Sequence, residues 1–234
     1  MVVEIPRWSN AKNEVQKKSI YNPITQQIKK GLPRFAPNIF PYKGYMWNYG
    51  AFPQTYEDPS IIDSSTGFKG DGDPVDVLEI GQAIGSVGQI KQVKILGIMG
   101  MIDEGETDWK ILTIDVNDPI SSKLNTITDL DLYMPGFIDA TRSWFTDYKV
   151  PEGKSQNAWA FDGQAKNHDF AKLIINEAHQ SWKNLLAKNT KSRESYFGFP
   201  NNLKDIPTNE GIVLESKKKI QNYTQGITAY YNLK

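Results

Sequence analysis

The sequence predicts a mainly β fold with α-helices packed outside it, and three observations carry that reading. Between residue 1 and about residue 120, prolines and glycines recur every few residues, at Pro6, Pro23, Pro33, Pro37, Pro41, Pro53, Pro59, Pro74 and Gly97 among others. Such punctuation suits short strands joined by loops, as in a barrel. From Pro135 the apolar spacing changes to steps of three and four residues, the period of helices. The chain has 234 residues with 39% hydrophobic and 12% aromatic content, enough for one substantial core without a second domain. One domain over 1–234 is expected, with 190–234 as a variable C-terminal segment.

Val77, Leu78 and Ile80 read as a first core strand. Val93, Ile95 and Leu96, continuing through Ile98 and Met101, read as a second, and Ile111, Leu112, Ile114 and Val116 as a third, with the acidic stretch between these two as a hairpin tip. Pro135 is placed to open a helix carrying Phe137, Thr141, Trp144, Phe145 and Tyr148 on one side. Phe170, Ala171, Ile174, Ile175, Ala178, Trp182 and Leu185 then form one stripe of a longer helix. Trp144 and Trp182 read as packing residues, and His168 and His179, the two histidines, as solvated helix positions. From Asn189 the chain is lysine-rich and weakly periodic; Ile212, Val213 and Leu214 read as a short segment and Lys217 to Lys219 as a solvated run.

Twenty-seven basic and 27 acidic residues cancel, so no global field draws the chain to nucleic acid or to an anionic membrane. The absence of cysteine removes thiol nucleophiles, disulfides and cysteine-ligated zinc together, and fits a reducing cytosol. No apolar run approaches a membrane span, and the first residues lack a basic-then-apolar signal pattern. The expectation is a cytoplasmic protein with neither a membrane nor a nucleic-acid partner.

The run Gly70-Asp71-Gly72-Asp73-Pro74-Val75-Asp76-Val77-Leu78 places three carboxylates directly before an apolar strand. Two carboxylates about 4 Å apart repel by roughly 4 kcal/mol at an effective dielectric near 20, so a fold that gathers three calls for a cation between them. Oxygen ligands, without sulfur or imidazole nearby, favour magnesium, manganese or calcium over zinc or copper. An EF-hand loop does not fit: its fifth, sixth and twelfth positions want an oxygen side chain, glycine and glutamate, where this chain has Val75, Asp76 and Gln82. Pro74 blocks a helical reading and biases Asp73 towards an extended backbone, so that Asp71 and Asp73 lean to one face of a strand entrance and Asp76 completes a pocket. The competing reading is an acidic surface turn, against which the apolar strand that pins the turn to a core weighs.

A second acidic run, Asp103-Glu104-Gly105-Glu106-Thr107-Asp108-Trp109-Lys110, reads by itself as a solvated turn, and together with the first as a second set of metal ligands. Lys12, Arg34, Lys110 and Lys149 each lie beside an aromatic, proline-rich or glycine-rich stretch, with Tyr45, Tyr49 and Tyr148 close in sequence. Each lysine alone reads as a surface charge. Hard cations, fixed basic groups and phenols in one place suit a small, dense polyanion such as phosphate.

These residues resemble a family I soluble inorganic pyrophosphatase of the eukaryotic type, similar to the fungal and animal enzymes. The resemblance runs from Met1 to about Trp182. It rests on Val3-Glu4-Ile5-Pro6-Arg7 with Asn10-Ala11-Lys12-Asn13-Glu14, on Gly44-Tyr45 with Asn48-Tyr49-Gly50-Ala51-Phe52-Pro53-Gln54-Thr55, on the signature Asp71-Gly72-Asp73-Pro74-Val75-Asp76, and on Asp103 to Lys110 with Tyr148-Lys149. One such motif is weak; in this order and spacing they are specific.

The resemblance implies hydrolysis of inorganic diphosphate to two orthophosphates with three or four Mg²⁺ ions, Mn²⁺ being a substitute. It implies a closed five-stranded OB-like β-barrel with α-helices packed outside. Asp71, Asp76 and Asp108 are implied as ligands of the first metal, Asp76 also of the second, Asp103 and Asp108 of a third, and Glu14 as a contact of a substrate-borne fourth. Asp73 is implied as the base, facing a water whose pKa the metals can bring from 15.7 to about 7, so that a metal-bound hydroxide attacks directly. Arg34, Lys12, Tyr49, Tyr148 and Lys149 are implied to grip the phosphoryl groups, with Lys110 beside the metal ligands, Tyr45 as proton donor and Glu4 as a further site carboxylate.

Three departures accompany the resemblance. Family members carry strands ahead of the Val-Glu-Ile-Pro segment that opens this chain, so an exposed barrel edge is expected. A homodimer is expected, with Trp8 as a suitable aromatic, although Lys43 stands where fungal relatives have an interface histidine, and Trp8 also reads as a core residue. After Asn189 nothing aligns. Two other classes fit the sequence less well. A single-strand-binding barrel needs a positively charged groove, the opposite of an acid-lined pocket on a neutral chain. A catalytically silent scaffold is opposed by the intact acidic positions.

Overall fold

The computed structural model describes residues 1–19, 21–187 and 230–231. In chain order the strands are β1 (Val2–Ile5), β2 (Asn13–Val15), β3 (Ile24–Gln26), β4 (Ile28–Lys29), β5 (Leu32–Pro33), β6 (Asn38–Ile39), β7 (Asn48–Ala51), β8 (Lys69–Gly70), β9 (Asp76–Glu79), β10 (Val93–Asp103) and β11 (Glu106–Asp115). Helices α1 (Ile127–Tyr133) and α2 (Phe137–Asp147) follow, then β12 (Ala158–Trp159), β13 (Lys166–Asn167), α3 (His168–Ala187) and β14 (Tyr230–Tyr231). The fold is mainly β with a few helices, as the sequence predicts.

The longest pairing joins β10 to β11 through a turn of only Glu104 and Gly105. Both turn residues have positive φ, 52° and 90°, which matches the twist of the strands they connect; glycine adopts it freely at the second position. The acidic run is therefore not all hairpin tip. Asp103 ends β10, while Asp108 and Lys110 lie inside β11.

The main sheet runs β1-β7-β9-β11-β10-β12, with β13 beside β10 and β8 beside β11. β8 and β9 run parallel to β11, and the other pairs are antiparallel. The parallel register sets Asp76 opposite Lys110 and Val77 opposite Ile111. The segment entering β10 returns to the start of the chain. Val2 bridges Ile90, the Val3 N–H donates to Gln89 O at 2.9 Å, and Met1 and Lys91 exchange hydrogen bonds of 2.9 and 3.0 Å.

Alternation along the strands divides the core. Leu78, Met99, Met101, Leu112 and Ile114 pack with Trp47, Trp144 and Phe145 in the larger cluster. Trp47 stacks on Phe145 with ring centroids 4.9 Å apart, meets Trp144 edge-on at 5.3 Å, and donates its Nε1–H to Thr141 at 3.2 Å. The opposite layer joins Val75, Ile98, Trp109 and Ile111 to Ala171, Ile174 and Ala178 of α3. That is the stripe read from the three and four residue spacing.

Helix α1 opens on a capping box between Thr126 and Asp129. Helix α2 opens on Gly136 with φ 79°, so Pro135 stands just outside it rather than at its first residue. Trp8 is 47% exposed and is not a core residue. His179 is half-buried, with Nδ1 2.8 Å from Gln54 O and its ring stacked on Trp182, so it is less solvated than its helix position predicts. The segment from Asn189, including Ile212 to Leu214 and Lys217 to Lys219, lies outside the described residues except for β14, whose backbone pairs in parallel with β6. Among the described residues no helix is long and apolar enough to cross a membrane.

Candidate active site

At one end of the larger core cluster, apolar side chains give way to charge. Asp76 begins β9, and its parallel partner Lys110 shares a face of β11 with Asp108, two residues before it. The Lys110 side chain is 2% exposed, and its Nζ donates to both Asp76 and Asp108. The Tyr49 hydroxyl, from β7, donates to the same oxygen of Asp76. Burial alone would lower the pKa of Lys110, but Asp108 and Asp76 outweigh it and hold the ammonium charged. Burial pushes Asp108 up to about 7 against the pull of Lys110, and Asp76 adds to the rise. Tyr49 is driven well above the usual phenol range by burial and the Asp76 charge.

The turn before β9 is tied to the segment carrying Glu57. The Gly72 N–H donates to Glu57 O at 2.8 Å, and the Glu57 N–H donates to Asp73 O at 2.9 Å. A Cβ on Gly70 would sit 2.4 Å from the Glu57 carbonyl carbon, so this approach requires glycine. Within the turn the Asp73 N–H donates to Asp71 Oδ1 at 2.8 Å. One carboxylate oxygen each of Glu57, Asp71 and Asp108 lie within 4.8 Å of one another. Burial, then the Asp108 and Asp73 charges, raise Asp71 well above the carboxylate range; burial, then Asp71 and Asp108, do the same to Glu57. Asp73 faces outward with a side chain 51% exposed, where the Lys17 ammonium binds it and also donates to Gly72 O at 2.6 Å.

Basic groups close the other side. Lys149 Nζ donates to both oxygens of Asp103 at 2.6 and 2.7 Å, and the Tyr148 hydroxyl donates to Asp103 at 3.5 Å. Arg34 pairs with Glu152 at 3.2 Å and donates to Gln27 at 2.8 Å. Lys12 stands 4.9 Å over the Tyr49 ring. Glu4, almost wholly buried in β1, accepts the Val15 N–H at 2.7 Å; burial pushes its carboxyl up to about 7, with Lys12 opposing the rise.

Glu4, Lys12, Glu14, Arg34, Tyr49, Asp71, Asp73, Asp76, Asp103, Asp108, Tyr148 and Lys149 line one cavity of about 440 Å³. Of the sequence-predicted residues, Tyr45 and Lys110 stand behind its wall. Tyr45 packs 5.2 Å from Tyr49 and 4.9 Å from Trp144, and burial raises its pKa. A larger cavity, about 780 Å³, is lined by groups such as Val15, Phe52, Pro53 and Trp182 and by no carboxylate, so chemistry rather than size locates the site. Sequence reasoning missed Glu57, Lys17 and Glu152. Glu57 lies two residues beyond the Asn48 to Thr55 motif and Lys17 three beyond the Asn10 to Glu14 motif, and that proximity was the available signal.

An oxygen-only donor set, and a Glu57 Oε2 that is buried without a hydrogen-bond partner, both fit a hard divalent cation.

The inorganic pyrophosphatase family model matches residues 1–183. An inorganic pyrophosphatase of Drosophila melanogaster is 57% identical over 192 residues, which is 82% of this chain and 57% of that protein, so the chain spans less than two thirds of that relative's length. The solved inorganic pyrophosphatase of Schistosoma japonicum superposes with a TM-score of 0.85 at 42% identity, covering 100% of this chain and 85% of that one. An N-terminally truncated vacuolar soluble pyrophosphatase of Trypanosoma cruzi, solved in complex with PPi, superposes with a TM-score of 0.75 at 43% identity, covering 80% of this chain and 69% of that one. With its clustered carboxylates and basic rim in one cavity, the chain belongs to the inorganic pyrophosphatase family.

Proposed function

We propose that the chain hydrolyses inorganic diphosphate to two orthophosphates with Mg²⁺ as its cofactor. The observation that carries the reading is one cavity in which clustered carboxylates face Lys12, Arg34 and Lys149, in a chain of this family. The relative solved with PPi supports the choice of substrate.

Asp71, Asp76 and Asp108, with Asp103 and Glu14, would hold the metal ions. Bound Mg²⁺ neutralises charge on phosphoryl oxygens and lowers the pKa of coordinated water. Arg34, Lys12, Lys149, Tyr49 and Tyr148 orient the two phosphoryl groups and offset their charge. Lys110 fixes Asp76 and Asp108 from behind. Asp73, the outward-facing carboxylate of the turn, takes the proton of the attacking water. As the new P–O bond forms, the bridging P–O bond breaks and its electron pair leaves with the second orthophosphate; Tyr45, kept protonated by burial, is the donor in this reading. Positioning and charge neutralisation suffice, and no covalent intermediate is required.

The strand path β1-β7-β9-β11-β10 belongs to the same reading, as a closed five-stranded OB-like barrel. The hydrogen bonds between Met1 to Val3 and the segment entering β10 support closure. A homodimer, supported by the exposed Trp8 under the Arg7 guanidinium at 5.8 Å, and a cytoplasmic location complete it.

Colorimetric phosphate release from diphosphate, with and without Mg²⁺, tests the activity. The expected result is Mg²⁺-dependent release; a binding module or a silent scaffold would give none.

A further inference from the structure

We propose that Glu152 is a positioning residue for the reaction, holding the Arg34 guanidinium in the orientation that receives a phosphoryl group. The inference rests on the function proposed above, in which Arg34 grips diphosphate. Arg34, Gln27, Tyr148 and Lys149 line the cavity, while Glu152 stands behind its wall. Its carboxylate therefore acts on the substrate through the side chain it binds.

Two segments 118 residues apart meet at this carboxylate. Strands β4 and β5 form a hairpin that sets Ile28 opposite Pro33 and Lys29 opposite Leu32, and alternation places Gln27, Lys29 and Arg34 on one face of it. Glu152 arrives from the turn that follows Tyr148 and Lys149, its N–H donating to Lys149 O at 3.0 Å. Glu152 Oε1 accepts from Arg34 Nε at 3.4 Å and from Nη2 at 3.2 Å, and Oε2 accepts from the Lys29 ammonium. Arg34 Nη1 donates to Gln27 Oε1 at 2.8 Å. A guanidinium carries five N–H donors in a rigid planar fork, so these three contacts set its plane and leave donors for a ligand. The Arg34 and Glu152 side chains are only 15% and 17% exposed, which limits screening by water. Burial pushes the Glu152 carboxyl up, but Lys29 and Arg34 outweigh it and hold the group below the usual carboxylate range.

Charge alone does not account for a carboxylate at this place. A negative group beside a phosphate-gripping arginine weakens the attraction of an anion, so Glu152 opposes binding unless it sets geometry. Asp71, Asp76, Asp103 and Asp108 line the same cavity, and an untethered guanidinium would be drawn towards them. Glu152 prevents that swing and ties Arg34 to the segment carrying Tyr148 and Lys149. Positioning and charge thus predict opposite signs for its removal.

The test is a double-mutant cycle on kcat/KM for phosphate release from diphosphate in Mg²⁺, with wild type, Glu152→Gln, Arg34→Ala and the double variant, and thermal unfolding of each. Glu152→Gln is expected to unfold at the wild-type temperature and to lose about 10–100-fold in kcat/KM, the scale of a misplaced binding group. Glu152→Asp, which keeps the charge on a shorter arm, should recover part of that loss. With Arg34 already replaced by alanine, Glu152→Gln should add almost nothing. An equal loss in both backgrounds, as a purely structural role would give, overturns the proposal, and so does an unchanged or raised kcat/KM in Glu152→Gln. If Glu152→Gln does not fold, the same cycle with Glu152→Asp decides by the same criterion. Active wild type with normal release by Arg34→Ala would remove both Arg34 and Glu152 from the site. Wild type that releases no phosphate would remove the proposed function, and this inference with it.

Discussion

Lys110 stands between Asp76 and Asp108 as their shared counter-charge, with a side chain 2% exposed and its ammonium 5.1 Å from the Phe145 ring. Removing one partner of such a buried pair costs about 3–5 kcal/mol, because the other charges remain uncompensated. Lys110→Met should unfold at a markedly lower temperature than wild type in EDTA. Mg²⁺ should recover more stability in the variant than in wild type, since a cation then replaces the lost ammonium. Equal Mg²⁺ increments in the two proteins, measured by differential scanning calorimetry, would count against this account.

Asp73 is the carboxylate of the turn that faces solvent, and its loss leaves the buried cluster intact. Asp73→Asn should keep the unfolding temperature and the tightest Mg²⁺ affinity while reducing turnover by about 10²–10⁴-fold, the usual contribution of a general base. Near-normal steady-state phosphate release from the variant would show that another group takes the proton.

Glu4 gives a pH dependence with a definite sign. Its carboxyl moves from an ordinary value of 4.5 to about 7 in the fold, chiefly through burial. Between those values the native chain holds a proton that the unfolded chain has lost. The stabilising effect of that proton is complete below pH 4.5, declines as the pH rises and is gone above about 7. At 1.36 kcal/mol per pH unit, the difference of 7 − 4.5 corresponds to about 3 kcal/mol. Metal-free Glu4→Gln should therefore show a flatter stability profile than wild type over this window and a higher unfolding temperature at about pH 8. Chemical denaturation at several pH values checks it, and parallel profiles would refute the assignment.

At Gly70 even the smallest added side chain would meet backbone, 2.4 Å from the Glu57 carbonyl carbon and 2.5 Å from its oxygen. Gly70→Ala should part the Glu57 segment from the acidic turn, cost about 1–3 kcal/mol through overpacking, and weaken Mg²⁺ binding because Asp71 moves with the turn. Urea denaturation together with Mg²⁺ titration measures both. Wild-type values in each would mean that the contact does not position the turn.

The residues that line the cavity were legible where chemistry is written in short motifs, such as Asp71 to Asp76 and Asp103 to Lys110. The stripe from Phe170 to Leu185 was legible because burial on one side of a helix imposes a period. Glu57 and Lys17 were not, since each lies in a loop whose approach to the site is set by non-local contacts at Gly70 and Gly72. The extent of the β10–β11 turn was misjudged for a related reason. Asp108 and Lys110 carry the charge expected of a loop, yet they compensate each other inside a buried strand. Strand order was beyond composition and periodicity, because the parallel β9–β11 pairing brings together segments about thirty residues apart.

That parallel pairing also determines where the chain tolerates insertions and deletions. β9 and β11 alternate in step from Asp76 and Lys110 onward, so losing one residue within either strand would turn Val77 or Trp109 into the cavity and drive an aspartate beneath the opposite layer. The pair Glu104 and Gly105 contributes no ligand and can change in number without rotating one. A change of length in this part of the chain is thereby expected to be borne at the β10–β11 turn and not within the strands.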